Sequence, residues 1–208
     1  MDRPRSPRTR MAYSIRHQVP VRRDRPEKQQ YRAYKIELRA DFDQRCGYCN
    51  DHDRTFGNIR GFHIDHFAPK SLFPHLTKAY NNLVYACPLC NIAKSNKWYG
   101  VDEHNSVTGE IGFIDPCSPD LDDHLARNEV GEIIGLTPLG CSMVNDLKLG
   151  LLRHQLNWQI ERIETLKDRL IPIMKEANRK GINVTRAIDL LDKLNSLFNT
   201  VRTSRDTQ

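Results

Sequence analysis

Two Cys-x-x-Cys pairs, Cys46/Cys49 and Cys87/Cys90, constrain this chain more than any other feature. A Cys-x-x-Cys turn brings two thiolates to one ion, and two such turns complete a tetrahedron. The 37 residues between Cys49 and Cys87 are then a substructure whose ends the metal clamps together. A redox dithiol and ordinary buried thiols are the competing readings. Two matched pairs favour structural Zn2+ over both. Cys117 and Cys141 have no partner motif and read as small buried hydrophobes.

The N-terminus carries charges with no apolar stretch behind them, so it does not read as a secretory signal. No apolar run approaches the ~20 residues that span a bilayer. A soluble, cytoplasmic protein without a membrane partner is expected, and in that setting paired cysteines point to metal and not to disulfides. The 208 residues suit one domain with appendages or two small ones. The net charge of +6 lies wholly in residues 1–30, where nine Lys/Arg face three acidic residues; the rest balances at 23 of each sign. Pro4, Pro7, Pro20 and Pro26 break any packed element there. Residues 1–29 therefore read as a flexible basic arm, either a solvated tail or a non-specific phosphate binder.

From Gln30 to Gln44 the pattern becomes helical, with Tyr34, Leu38 and Phe42 at four-residue steps and Tyr31 close to the stripe. Residues 59–67 alternate and read as a strand, and Asn82–Ala86 as a second. A polar helix is expected from about Cys90-Asn91 through Lys94 towards Trp98. Phe113–Pro116 reads as strand then turn, and Glu132–Thr137 as another strand. Leu147, Leu151, Trp158, Ile163, Leu166 and Leu170 give one helix over Met143–Leu170, and Ile182–Phe198 a further one. These stripes are core packing.

Inside the cysteine frame lies His63-Ile64-Asp65-His66-Phe67-Ala68-Pro69-Lys70, then Asn81-Asn82-Leu83; Cys90 is followed at once by Asn91-Ile92-Ala93-Lys94. Asp-His, a central Asn and Cys-x-x-Cys-Asn-x-x-Lys in this order resemble the HNH (ββα-metal) endonucleases, in the version with two cysteine knuckles around the catalytic hairpin. The resemblance covers about residues 30–100. It implies an α+β fold: a small zinc-stabilised ββα-metal core over residues 30–112, then short strands and a helical C-terminal region over 113–208.

It also implies phosphodiester hydrolysis, which needs a deprotonated water, a charge clamp on the phosphate and stabilisation of the departing oxygen. His66 would be the general base, its intrinsic pKa lying near working pH. Asp65 and Asn91 would hold Mg2+ or another divalent ion through oxygen ligands. Asn82 would brace the hairpin and orient His66. Lys70 and Lys94 would neutralise phosphates flanking the cut. His63 shares a strand face with Asp65 but reads first as solvent-facing.

Each residue also has an ordinary reading: a surface Asp-His pair, a turn-closing Asn82, an N-capping Asn91. DNA is the expected substrate, with RNA open. Phe113–Pro116, Asp123-His124, Gly131–Thr137 and the leucine-rich helix loosely resemble the downstream region of HNH nucleases of bacterial anti-phage systems such as Septu and related retrons. That implies a partner ATPase. The alternative from another class is a zinc-knuckle nucleic-acid-binding module without catalysis.

Overall fold

Tyr34, Leu38 and Phe42 are buried together, as their spacing requires. The backbone beneath them changes character midway. In the computed structural model, which describes residues 12–207, Tyr31–Tyr34 form a 3-10 turn that runs straight into helix α1, Lys35–Asp41. Strand β1, Tyr13–Ser14, lies before it in the chain. After α1 comes the first cysteine knuckle. Gly47 is needed there for space and not for a left-handed backbone: a Cβ would sit 2.8 Å from the Val84 side chain and 2.9 Å from that of Phe42.

Between the knuckles, strands β2 (His63–His66) and β3 (Leu83–Ala86) pair antiparallel, with His63 opposite Ala86 and His66 opposite Leu83. The strand expected over 59–67 is thus shortened. Gly57 (φ +83°) and Asn58 (φ +60°) are left-handed, and Asn58–Arg60 coil into a 3-10 turn, which an extended strand cannot contain. β3 leads into helix α2, Pro88–Lys94. It starts earlier than the sequence indicates because Pro88 is preset for the first helical turn and the Cys87 Sγ accepts from the Cys90 N–H at 3.4 Å. It stops at Lys94, since Ser95 turns to φ +50°. The hairpin and α2 make the expected ββα unit.

Downstream, β4 (Val107–Thr108) and β5 (Ile111–Gly112) form a small hairpin. Phe113–Pro116 is irregular, not a strand. Helix α3 (Leu121–His124) precedes β6 (Leu125–Arg127) and β7 (Ile133–Gly135), which complete a sheet in the order β1-β6-β7. Helix α4 follows at Pro138–Asp146. Phe113, Leu121, Leu125, Ile133, Met143 and Leu147 share one core with Leu38, Phe42 and the hairpin. The first compact unit therefore extends to Gly150, and the boundary expected after residue 112 falls there instead.

The second unit is the helix pair α5 (Leu152–Arg179) and α6 (Thr185–Asp206), packed through Leu156, Ile160 and Ile163 against Leu194, Phe198 and Val201. The single helix expected from Met143 is broken, with Lys148 at φ +55°. Among the described residues, no helix is long and apolar enough to cross a membrane. Cys141 is exposed and Cys117 half-buried, so the expected burial fails for the first.

Residues 1–11 of the expected arm lie outside the described residues. The rest is not a free tail. Ile15 is buried and β1 pairs with β6. Arg16 binds Asp122 at 2.9 Å and the carbonyls of Pro116 and Ser118. Arg22 binds Asp115 at 2.9 Å, and Arg25 binds the buried Asp41 at 2.9 Å. These guanidinium groups find their anions inside the fold, so counting charges along the sequence overstates what the arm offers to a phosphate.

Candidate metal centres and active site

The Sγ atoms of Cys46, Cys49, Cys87 and Cys90 all lie within 4.8 Å of one another and are buried. A tetrahedral ion with metal–sulfur bonds of about 2.3 Å implies S–S edges of about 3.8 Å. Cys49 and Cys87 stand 3.8 Å apart, far beyond a disulfide. Burial and the neighbouring thiols push Cys49 and Cys90 well above the usual thiol range. Four thiolates can therefore coexist here only around a cation. The donor set fits one tetrahedral metal ion.

His66 ends β2, and its ring is fixed by a loop. The Nε2 lies 3.0 Å from the carbonyl of Thr77. A carbonyl only accepts, so Nε2 carries the hydrogen and Nδ1 keeps its lone pair. Nothing among the described residues bonds to Nδ1. Burial pulls the His66 pKa below its usual value, helped by the charge of Lys70 and opposed by the Thr77 carbonyl. The ring is neutral at pH 7, as a proton acceptor must be.

Asn82 holds the loop that delivers Thr77. Its Oδ1 accepts from the Ala68 N–H at 2.8 Å and its Nδ2 donates to the Ala68 carbonyl at 3.0 Å and to that of Leu76 at 3.4 Å. Its own carbonyl accepts from the Phe67 N–H at 2.8 Å. The loop over 67–82 is thus closed at its root, immediately after His66.

Asp65 receives two donors on one oxygen: the Tyr48 hydroxyl at 2.6 Å and the Lys94 ammonium at 3.3 Å, both to Oδ2. Its Oδ1 takes no hydrogen bond from the described residues. Burial pushes Asp65 up and Lys94 down, and each keeps the other charged. Tyr48 sits in the first knuckle, so the cysteine frame reaches Asp65 directly. The sequence offers no signal for this contact, because the knuckle and β2 meet only in the fold.

Lys94 does not have the phosphate-binding role expected of it. It is fully buried, its Nζ donating to the His66 carbonyl at 3.0 Å, so no phosphate can reach it. Lys94→Met should lower stability by about 3–5 kcal/mol, because it leaves a buried carboxylate uncompensated. Urea unfolding of the metal-loaded protein checks this, and adding Asp65→Asn should recover part of the loss. A variant of unchanged stability that binds nucleic acid less well would restore the phosphate role.

Asn91, one turn into α2, donates from Nδ2 to the His63 Nδ1 at 2.9 Å. Its Oδ1 has no partner among the described residues. His63 is therefore half-buried against Asn91 and not a solvent-facing histidine. A cavity of about 620 Å3 is lined by His63, Asp65, His66, Lys70, Asn91 and, from the 3-10 turn and the first residue of α1, Tyr31, Arg32 and Lys35. The structure thus brings Asp65, His66, Asn91 and Lys70 to one cavity, holds Asn82 behind it as a brace, and buries Lys94 beneath it.

Three acceptor atoms, Asp65 Oδ1, Asn91 Oδ1 and His66 Nδ1, belong to residues of this cavity and have no partner among the described residues. Two hard oxygens beside one neutral imidazole suit a divalent cation such as Mg2+ with a water in reach of a base. Residues 46–97 match the model of the HNH endonuclease family. The match is about a quarter of the chain and takes in both knuckles, the hairpin and α2. Over this stretch the chain is similar to an HNH endonuclease domain. No curated protein and no solved structure matches the chain.

Proposed function

We propose that this protein is an endonuclease that hydrolyses phosphodiester bonds in DNA. The observation that carries the reading is the set of three acceptors, unpartnered among the described residues, at one cavity of a stretch that matches the HNH family. Cys46, Cys49, Cys87 and Cys90 hold structural Zn2+ and fix the start of α2. Asp65 and Asn91 offer Oδ1 atoms to Mg2+ or a similar ion. Such an ion supplies a Lewis acid for the scissile phosphate and for the 3′ oxygen as it leaves.

His66 takes the proton of the attacking water at Nδ1, while the Thr77 carbonyl holds the ring through Nε2. Asn82 keeps that carbonyl in place. Tyr48 and Lys94 hold the Asp65 carboxylate through Oδ2, so that Oδ1 stays turned to its task. Lys70, exposed at the rim, neutralises phosphate.

A zinc-knuckle binding module without catalysis would need the cysteines but not a neutral, anchored histidine beside two open oxygens. The segments behind the resemblance to anti-phage nucleases include core residues, with Phe113, Leu121, Leu125 and Ile133 buried. They add no support for a partner ATPase.

The reading is tested by titrating the zinc-loaded protein with Mn2+ in a calorimeter. One Mn2+ per chain is expected beyond the structural ion, with affinity at least about tenfold weaker, a loss of roughly 1.4 kcal/mol, in Asn91→Ala and in Asp65→Asn. Equal affinity in wild type and both variants would remove these residues as ligands.

A further inference from the structure

The family match begins at Cys46, yet one wall of the catalytic cavity is built before it. Tyr31, Arg32 and Lys35 line the same cavity as Asp65, His66 and Asn91. The Tyr31 ring stands edge-on to His66, with centroids 4.7 Å apart at 68°. Lys70 Nζ lies 5.0 Å over that ring and 3.5 Å from its hydroxyl, and the Arg32 guanidinium lies 5.8 Å from the ring centroid. A phosphate placed at the base would stand beside these cations.

Among the described Lys and Arg of residues 12–39, only Arg32 and Lys35 lack a carboxylate partner. Around them the basic residues are consumed internally: Arg22 by Asp115, Arg25 by Asp41, Lys28 by Glu37 and Arg39 by Asp53. Among the described residues Arg32, Lys35 and Lys70 make no ion pair. Partial burial pulls the Lys35 pKa down with no carboxylate beside it to oppose the shift. An anion from outside would relieve that.

We propose that the segment Tyr31–Lys35 is the second wall of the substrate cleft: Arg32 and Lys35, together with Lys70 beside Tyr31, grip the phosphate backbone of the strand being cut. This rests on the nuclease reading and adds a footprint to it. The cationic surface that engages phosphate is then at the 3-10 turn and the first residue of α1 and not in residues 12–29 of the arm, whose arginines are occupied.

The test is equilibrium binding of the zinc-loaded protein to a short DNA duplex, and to an RNA of equal length, across a range of KCl with no catalytic ion added. For the duplex, Arg32→Ala/Lys35→Ala should reduce the slope of log Kobs against log salt by about 1.8, since each neutralised phosphate adds about 0.9 to it. Removing two cations elsewhere, Arg179→Ala/Lys180→Ala at the end of α5, should leave the slope alone. An unchanged slope in the first variant overturns the proposal, as does an equal fall in the control or a wild type that binds neither ligand. Because binding is read without cleavage, the two readings separate. A wild type that cuts while the slope stays unchanged sinks the footprint alone. A slope that falls as stated in a protein that cuts nothing supports the footprint and sinks the nuclease.

Discussion

Cys90→Ala is expected to remove the structural metal and, with it, the cooperative unfolding transition of the first unit. Metal bound by four thiolates commonly contributes on the order of 10 kcal/mol to folding, as much as the whole stability of many domains. Here the four sulfurs join the turn after α1 to the start of α2, and losing one of them with the cation leaves the core around them with three unmatched thiols. Activity should fail even in conditions that preserve residual structure. Asn91 is bonded to Cys90 in the chain and must stay opposite Asp65 within the ~0.5 Å that a catalytic site tolerates. Tyr48 links the other knuckle to Asp65 at 2.6 Å, so losing the metal should loosen both residues proposed as oxygen ligands. Asn91→Ala is the comparison: it should lose cleavage and keep one zinc per chain by elemental analysis. A Cys90→Ala protein that stays folded and cuts at the wild-type rate would reduce the zinc to a staple. An Asn91→Ala protein without zinc would show that the ligand roles are misassigned.

His66→Ala should lower cleavage by about 10^3-fold, within the 10^2–10^4 that a positioned general base contributes. The loss should come without unfolding. Asn82 closes the loop at Ala68 independently of the imidazole, and Lys94 bonds to the backbone carbonyl of residue 66, not to its side chain. Circular dichroism and zinc content should therefore match wild type. A rate loss accompanied by zinc loss would mean that the ring acts as a support and not as a base.

Much of this site was legible because its signals are local. The two Cys-x-x-Cys turns announce a four-sulfur cluster in four residues each, and the structure brings those sulfurs together at the ends of the hairpin segment. The ββα order was likewise readable from β2, β3 and the helix after Cys87. Contacts between distant segments were not readable. Tyr48 meets Asp65 across 17 positions and carries no mark of it in sequence. Lys94 reads as a solvent cation until the packing of α2 on β2 buries it. The arginines of the N-terminal segment count as free charge until Asp115 and Asp122, about a hundred positions on, arrive beside them. The boundary at Gly150 escaped for the same reason, since Phe113, Leu125 and Met143 look like a separate layer until they join the core of Leu38 and Phe42.

Cleavage of supercoiled plasmid and of RNA by the purified protein with Mg2+ or Mn2+, run beside His66→Ala, tests the central claim most directly. The wild type should cut DNA in the presence of the ion and stop when it is chelated, while the variant, folded and zinc-loaded, cuts about 10^3-fold more slowly. A wild type that binds DNA and leaves every phosphodiester intact, or a variant as fast as wild type, would contradict the account.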